Sequence, residues 1–348
     1  MRIFIKTQLL QMKRLLTVIV VSLLITPFTL HSQSGSLDPA FGENGIVLTN
    51  VRSQNAYTSE IALTADLRIL SAGTLGEDSI FVMSQDMQGK VDSAFGVNGI
   101  TSLPFSAVDV VGTFVKSTGE GYIYAGGYGN TGLREHGFIM RLQIDGTPDS
   151  AFAYYGAIMQ NDFGTSTYAY DAAVYDDGRL LVAGAIGFLG ERYLLSRYLP
   201  TGTPDLSFNN TGSVEIEMYG DFDNPTHVYL LPDEKILVIG RTINLTFPLE
   251  TIITALRLFP DGSVDESFGD LGRQYINLSD NENNTIGAVL QEDGKILIGG
   301  SAGTHTLCLI RLTSEGDFDS TFGIDGIVKH TIIGSEVNIV QALSNQSD

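Results

Sequence analysis

The sequence predicts an all-β chain: a β-propeller of about five to six four-stranded blades, the last one incomplete, after an N-terminal signal peptide. Three observations predict it. First, a short string ending in Phe recurs six times along the 348 residues. Its Asp and Phe fall at Asp38 and Phe41, Asp92 and Phe95, Asp149 and Phe152, Asp205 and Phe208, Asp265 and Phe268, and Asp319 and Phe322. The Phe positions lie 54, 57, 56, 60 and 54 residues apart, and units of 40–60 residues repeated along a chain build a propeller. Second, a short apolar run holds a fixed place in each unit, as at Arg179-Leu180-Leu181-Val182-Ala183-Gly184 and Lys235-Ile236-Leu237-Val238-Ile239-Gly240. An Asp-Gly turn or a close variant precedes it, so it reads as a buried strand entered through a tight turn. Third, there are 39 Gly against 10 Pro, and no long apolar pattern of period 3.6 with caps follows the first 34 residues, so helices should be nearly absent.

Each unit divides into four short strands, in the first at roughly 46–51, 56–64, 68–74 and 79–86. One four-stranded sheet cannot cover both its faces, so neighbouring units must stack into a single domain over 35–348, with repeats starting near 36, 90, 147, 203, 263 and 317. The end is irregular. Five units are complete, whereas the sixth supplies only strands near 326–332 and 337–343.

Residues 1–34 read as a signal peptide. Arg2, Lys6, Lys13 and Arg14 come first, the apolar run Leu15–Ile25 follows, and small polar residues mark the exit. That run is short for a membrane span of about 20 residues. The predicted product is therefore secreted or held at the cell surface, with no membrane span in the mature chain. Forty acidic against 20 basic residues give a net charge of −20, and removing the leader takes it to −24. Such a surface repels phosphate backbones and anionic lipid, which argues against nucleic acid as a partner. The single Cys308 excludes an internal disulfide framework and a Cys-based zinc site.

The repeated polar residues invite a structural explanation. Each Asp three residues before its Phe reads as the cap of a tight turn, with the Phe plugged between blades. Arg141, Arg197, Arg257 and Arg311 recur eight residues before the repeated Asp, with Ser84 at that place in the first unit. A cation at constant offset from an anion suggests a structural Arg–carboxylate pair; an anionic-ligand site is the sharper alternative.

Motifs with chemistry are scarce. Gly127-Tyr128-Gly129-Asn130-Thr131-Gly132 has the letters of a dinucleotide fingerprint, but it lies between two strands and reads as a hairpin loop. The five histidines lack ligand spacing, and no cofactor is implied apart from calcium as a weak candidate. Acidic loops at Asp221 and Asp223 and at Asp280 and Glu282 offer hard oxygen ligands without a full calcium-loop pattern. Tyr128, Tyr154, Tyr155 and Tyr168 sit where loop aromatics could stack a sugar.

The pairing of Leu37-Asp38-Pro39-Ala40-Phe41-Gly42-Glu43-Asn44-Gly45 with runs such as Asp293-Gly294-Lys295-Ile296-Leu297-Ile298-Gly299-Gly300, together with an Arg-bearing fourth strand, resembles the delta-60 repeat proteins of bacteria over residues 36–343. The resemblance implies an exported, propeller-like protein and brings no catalytic residues. Relatives often end in a C-terminal secretion sorting domain, and none is read in this sequence. The functional expectation is a non-enzymatic binding or scaffold module with an unidentified protein or glycan ligand. A polysaccharide-acting hydrolase or lyase on the same scaffold is the alternative.

Overall fold

Gly99, Gly156, Gly212, Gly272 and Gly326, each four residues after the repeated Phe, sit at φ of 86–90°, a conformation that side chains disfavour. Their N–H groups bond back to the Phe carbonyls, closing the tight turn on which every repeat begins. The computed structural model describes residues 37–49, 51, 55–105, 107–160, 163–188, 192–245, 250–278, 283–303, 306–331 and 343. Residues 1–34, expected from the sequence to be a signal peptide, lie outside these.

The chain forms two compact units, residues 1–46 and 47–348. In the first, residues 37–46 make one copy of the turn. Phe41 N–H bonds to Asp38 O (3.1 Å), Gly45 N–H bonds to Phe41 O (2.9 Å), and Ala40 N–H donates to Asp38 Oδ1 (2.9 Å).

In the second unit, twenty strands build five antiparallel four-stranded sheets in strict chain order. Blade one holds β1 (Ala56–Leu63), β2 (Ile69–Leu75), β3 (Ser79–Gln85) and β4 (Ile100–Pro104). Blade two holds β5 (Val108–Ser117), β6 (Ile123–Asn130), β7 (Glu135–Leu142) and β8 (Ala157–Met159). Blade three holds β9 (Thr167–Val174), β10 (Leu180–Ile186), β11 (Arg192–Tyr198) and β12 (Ser213–Ile216). Blade four holds β13 (Phe222–Leu230), β14 (Ile236–Asn244), β15 (Glu250–Leu258) and β16 (Arg273–Ile276). Blade five holds β17 (Asn283–Leu290), β18 (Ile296–Ala302), β19 (Thr306–Leu312) and β20 (Ile327–Thr331). No helix among the described residues is long and apolar enough to cross a membrane.

Blade and repeat are out of phase by one strand. The strand after each Asp-x-x-Phe turn pairs with the strand immediately before that turn, as β4 does with β3, and so finishes the preceding blade. Two expectations change accordingly. The first strand read at 46–51 does not form: Ile46 makes an isolated bridge to Glu43, and 47–49 are not strand. The last blade is complete, because the sixth repeat's opening strand, β20, closes the fifth sheet. The strand read at 337–343 lies outside the described residues except Leu343.

First strands of successive sheets touch one another, so they lie innermost, and each also packs on the sheet before it. Thus β5 meets β1, β2 and β3, and β9, β13 and β17 repeat the arrangement one blade on. Apolar residues from both faces then bury each other. Leu70, Ala72, Ile80 and Val82 of blade one close on Val115, Ile123, Ala125 and Met140 of blade two, with Phe95 in the same cluster. Phe152, Phe208 and Phe268 do the same at the next three interfaces, and all four rings are fully buried.

The glycine ending the apolar run has a packing cause. A β-bulge in each first strand pushes a carbonyl towards the second strand, so a Cβ on Gly184 would overlap the Tyr168 carbonyl, and one on Gly127 that of Val111. Gly184→Ala should therefore cost about 1–3 kcal/mol, read as a lower urea midpoint at unchanged slope. Unaltered stability would show that the sheet yields at no cost.

Candidate functional site

From Asp92 onwards the repeated Asp does two jobs at once. Its Oδ1 accepts the N–H two residues on, as at Ala94, Ala151, Ser207, Ser267 and Thr321, which fixes the turn. Its Oδ2 faces the arginine of the preceding strand: Arg141 to Asp149 (2.7 Å), Arg197 to Asp205 (2.8 Å), Arg257 to Asp265 (2.7 Å) and Arg311 to Asp319 (2.8 Å). Each guanidinium also lies over the following Phe ring, 4.5–4.9 Å from its centroid. The first three then reach the next blade, donating to the carbonyls of Pro200, Pro260 and Ser314. Burial alone would raise the Asp265 carboxyl, but Ser267, Lys235 and Arg257 outweigh it and hold it down at about 2.

Blade one keeps this latch with a different residue. Ser84 is fully buried in the arginine's place, and Arg68, from the turn before β2, reaches Asp92 (3.4 Å) and the Ile144 carbonyl (3.1 Å). Its equivalents Lys235 and Lys295 approach Asp265 (3.1 Å) and Asp319 (3.4 Å), so a second cation stands at this place in other blades too.

The acidic loops act mainly on their own backbone. Asp223 is wholly buried, accepting from Thr242 Oγ1 and Met218 N–H, and burial reinforced by nearby Glu217 and Asp221 raises its carboxyl to about 6. Asp221 accepts the Leu245 N–H at 2.8 Å. Asp280 and Glu282 lie outside the described residues. Among the described residues no group of three or more His, Cys, Asp or Glu is arranged to hold a metal. Gly127–Gly132 belongs to the β6–β7 hairpin, with Asn130 opposite Glu135. Cys308 is buried, and burial pushes its thiol pKa up.

Two places break the repeat. The first crosses the innermost strands. Lys116 Nζ sits 2.7 Å from both Glu60 Oε1 and Asp171 Oδ1, joining blades one, two and three. The second oxygen of Glu60 accepts Val115 N–H (2.7 Å), and that of Asp171 accepts Val228 N–H of blade four (2.8 Å). Burial raises the Glu60 carboxyl, and Asp171 adds to the rise against the pull of Lys116. Burial would lower the Lys116 pKa, but the two carboxylates overcome it and hold the ammonium charged. His227 is stacked near Tyr229 and kept towards its neutral form by burial. This chain of groups is satisfied internally and reads as a clamp between blades.

The second place is a groove of 910 Å³ between the outer strands β8 and β12, lined by Tyr154, Met159, Gln160, Phe163, Tyr198 and Asn209 among others. Gln160, only 4% exposed, donates through Nε2 to Tyr198 Oη (3.1 Å), while its Oε1 is buried with no partner. At the rim Tyr154 and Tyr155 meet edge to face at 4.5 Å with both rings largely in solvent. Tyr128 and Tyr168 instead pack with Tyr170 at 5.2–6.0 Å, each covering another ring. Sequence reading named Tyr154 and Tyr155 but missed Gln160, Phe163 and Tyr198, which meet only once two blades are laid side by side.

A family model described as "Domain of unknown function (DUF5122) beta-propeller" matches residues 176–208 and 291–322. Each match runs from the turn before a second strand to the repeated Phe. No curated protein matches the sequence. Among solved structures, a protein of unknown function from Dyadobacter fermentans is similar with TM-score 0.45 at 12% identity, covering 81% of this chain and 84% of that one. A protein of unknown function from Bacteroides caccae gives 0.41 at 13%, covering 79% and 87%. A GH43 endo-arabinanase from Bacillus licheniformis gives 0.38 at 10%, covering 73% and 91%. Likenesses this distant carry no argument about activity. The five meander sheets and the DUF5122 match agree on a β-propeller built from repeats.

Proposed function

We propose that the chain is an exported binding module of the delta-60 repeat type, and that the groove between β8 and β12 is its ligand site. The observation that supports this reading is the groove itself, a cleft of 910 Å³ in which Tyr154, Phe163 and Tyr198 supply aromatic rings and Gln160 and Asn209 supply amides. Tyr154 at the rim offers an aromatic face, and a lining of apolar side chains, amides and hydroxyls, with Glu215 already paired to Arg192, suits a neutral, hydroxyl-rich ligand better than an anion. A glycan fits that chemistry.

The test uses protein recovered from the culture medium, whose N-terminus should fall after about residue 34, the span of the apolar leader. Calorimetry against neutral oligosaccharides should detect binding. Tyr154→Ala should weaken it about 5- to 30-fold, equivalent to 1–2 kcal/mol. Unchanged affinity in that variant would move the site elsewhere. The hydrolase reading has one foothold: burial raises the Glu135 carboxyl, with Asp109 adding to the effect. Sustained polysaccharide turnover lost in Glu135→Gln would replace the binding reading.

A further inference from the structure

Every blade interface repeats one arrangement, and the far side of blade five is where it stops. The residue sixteen positions after the turn glycine lies on the first strand: Val115, Ala172, Val228 and Ala288, all at most 7% exposed. It shares a core cluster with a third-strand residue of the preceding blade. The pairs are Val82 with Val115, Ile139 with Ala172, Leu195 with Val228, and Ala255 with Ala288. The third-strand member is completely buried in all four.

On blade five the corresponding surface is only half covered. Leu309 stands where Val82, Ile139, Leu195 and Ala255 stand, and Leu297 and Leu307 flank it at positions that are fully buried in blades three and four. Phe322 is likewise half-buried, against complete burial of the four preceding rings. The Arg311 side chain rises to 20% exposure, from 2–7% for Arg141, Arg197 and Arg257.

We infer that Val337–Leu343 of the same chain covers this face, in the position first strands take on the other blades. The count from the turn supports it. Sixteen residues after Gly326 comes Ala342, at the register position of Val115, Ala172, Val228 and Ala288. The segment Val337-Asn338-Ile339-Val340-Gln341-Ala342-Leu343 carries no charge and is mostly β-branched or apolar, as a strand laid on leucines requires. Leu343, the one residue described beyond Thr331, is half-buried. The occupant is local, since the five residues between β20 and Val337 fall within the range of three to seven that join earlier outer and inner strands.

Hydrogen exchange of the full chain tests the inference. Amides of 337–343 should exchange at least about tenfold more slowly than in an unstructured peptide. Ala342→Glu should abolish that protection and speed exchange in β18 and β19, leaving β9–β12 unchanged. In a Cys308→Ser background, Leu309→Cys with Ala342→Cys should form an intramolecular disulfide under mild oxidation. Exchange of 337–343 at the free-peptide rate, or failure of that disulfide to form, would overturn the inference. So would protection that disappears on dilution together with a dimer mass, since a second copy would then be the cover.

Discussion

Replacing Arg197 by methionine is expected to lower the unfolding free energy by about 3–5 kcal/mol, the cost of leaving one partner of a buried ion pair alone. Arg197 is 2% exposed. It holds Asp205, donates to Ser207 Oγ at 2.9 Å and to the Pro260 carbonyl, and covers the Phe208 ring. Methionine fills some of the volume, but Asp205 then keeps a charge at a site that stabilises it only through Ser207. Burial opposes that charge, while Ser207 and Arg197 together pull the Asp205 pKa below its usual value. Stability drawn from a lowered carboxyl is present above the unfolded pKa and lost as pH falls through the folded one. The Arg197→Met deficit should therefore shrink in acid. Arg197→Lys keeps the charge without the planar fork and should fall between. The internal control is Arg311→Met in blade five, where the guanidinium is partly in water and its partners belong to its own blade. About 1 kcal/mol is expected there. Urea unfolding of the three variants gives the comparison, and equal losses at Arg197 and Arg311 would remove the latch between blades as the cause.

The second large effect is at the clamp. Lys116→Met should cost about 2–4 kcal/mol at pH 7, a range reduced from that of a fully buried triad because Lys116 and Glu60 retain partial exposure. Without the ammonium, Glu60 and Asp171 face each other across a poorly solvated space, and the rise already present in the Glu60 pKa should grow. A raised folded pKa leaves full stability below the unfolded value, 4.5 for Glu60, and withdraws it as pH climbs through the folded value. The gap between wild type and variant should accordingly be small near pH 4.5 and widen towards pH 7. Lys116→Arg should retain most of the stability. A gap independent of pH would mean that lost packing, not uncompensated charge, carries the cost.

What repeats in this chain was legible in its sequence. Asp205, Phe208 and Gly212 each do a job that every unit needs, so their spacing alone exposed the turn and the buried ring. Strand phase was not legible, because the partner of Ile327–Thr331 is fixed by pairing with β19 across a turn and no local pattern encodes that choice. The substitution of Arg68 for the missing arginine was hidden for a similar reason, since it approaches Asp92 from another strand connection. Glu60, Lys116 and Asp171 left a trace that could have been followed: they stand 15, 17 and 15 residues after Gly45, Gly99 and Gly156. Charges at innermost positions that hold Phe114, His227 and Gly287, or Ala62, Ala173, Tyr229 and Val289, in other units marked a place where repetition gave way. Gln160 left none, because an unpaired amide is a property of its surroundings.

The one-strand offset between repeat and blade has a bearing on how such chains change length. Cut a gene at the turn of one unit and rejoin it at the turn of the next, and the product loses one outer strand from one sheet and three strands from its neighbour. The two remnants nevertheless make a whole sheet again, with an Asp-x-x-Phe turn at its seam and a familiar face on each side. Arrays of this kind can therefore shrink or grow by single units through unequal recombination without ever having to invent a new contact.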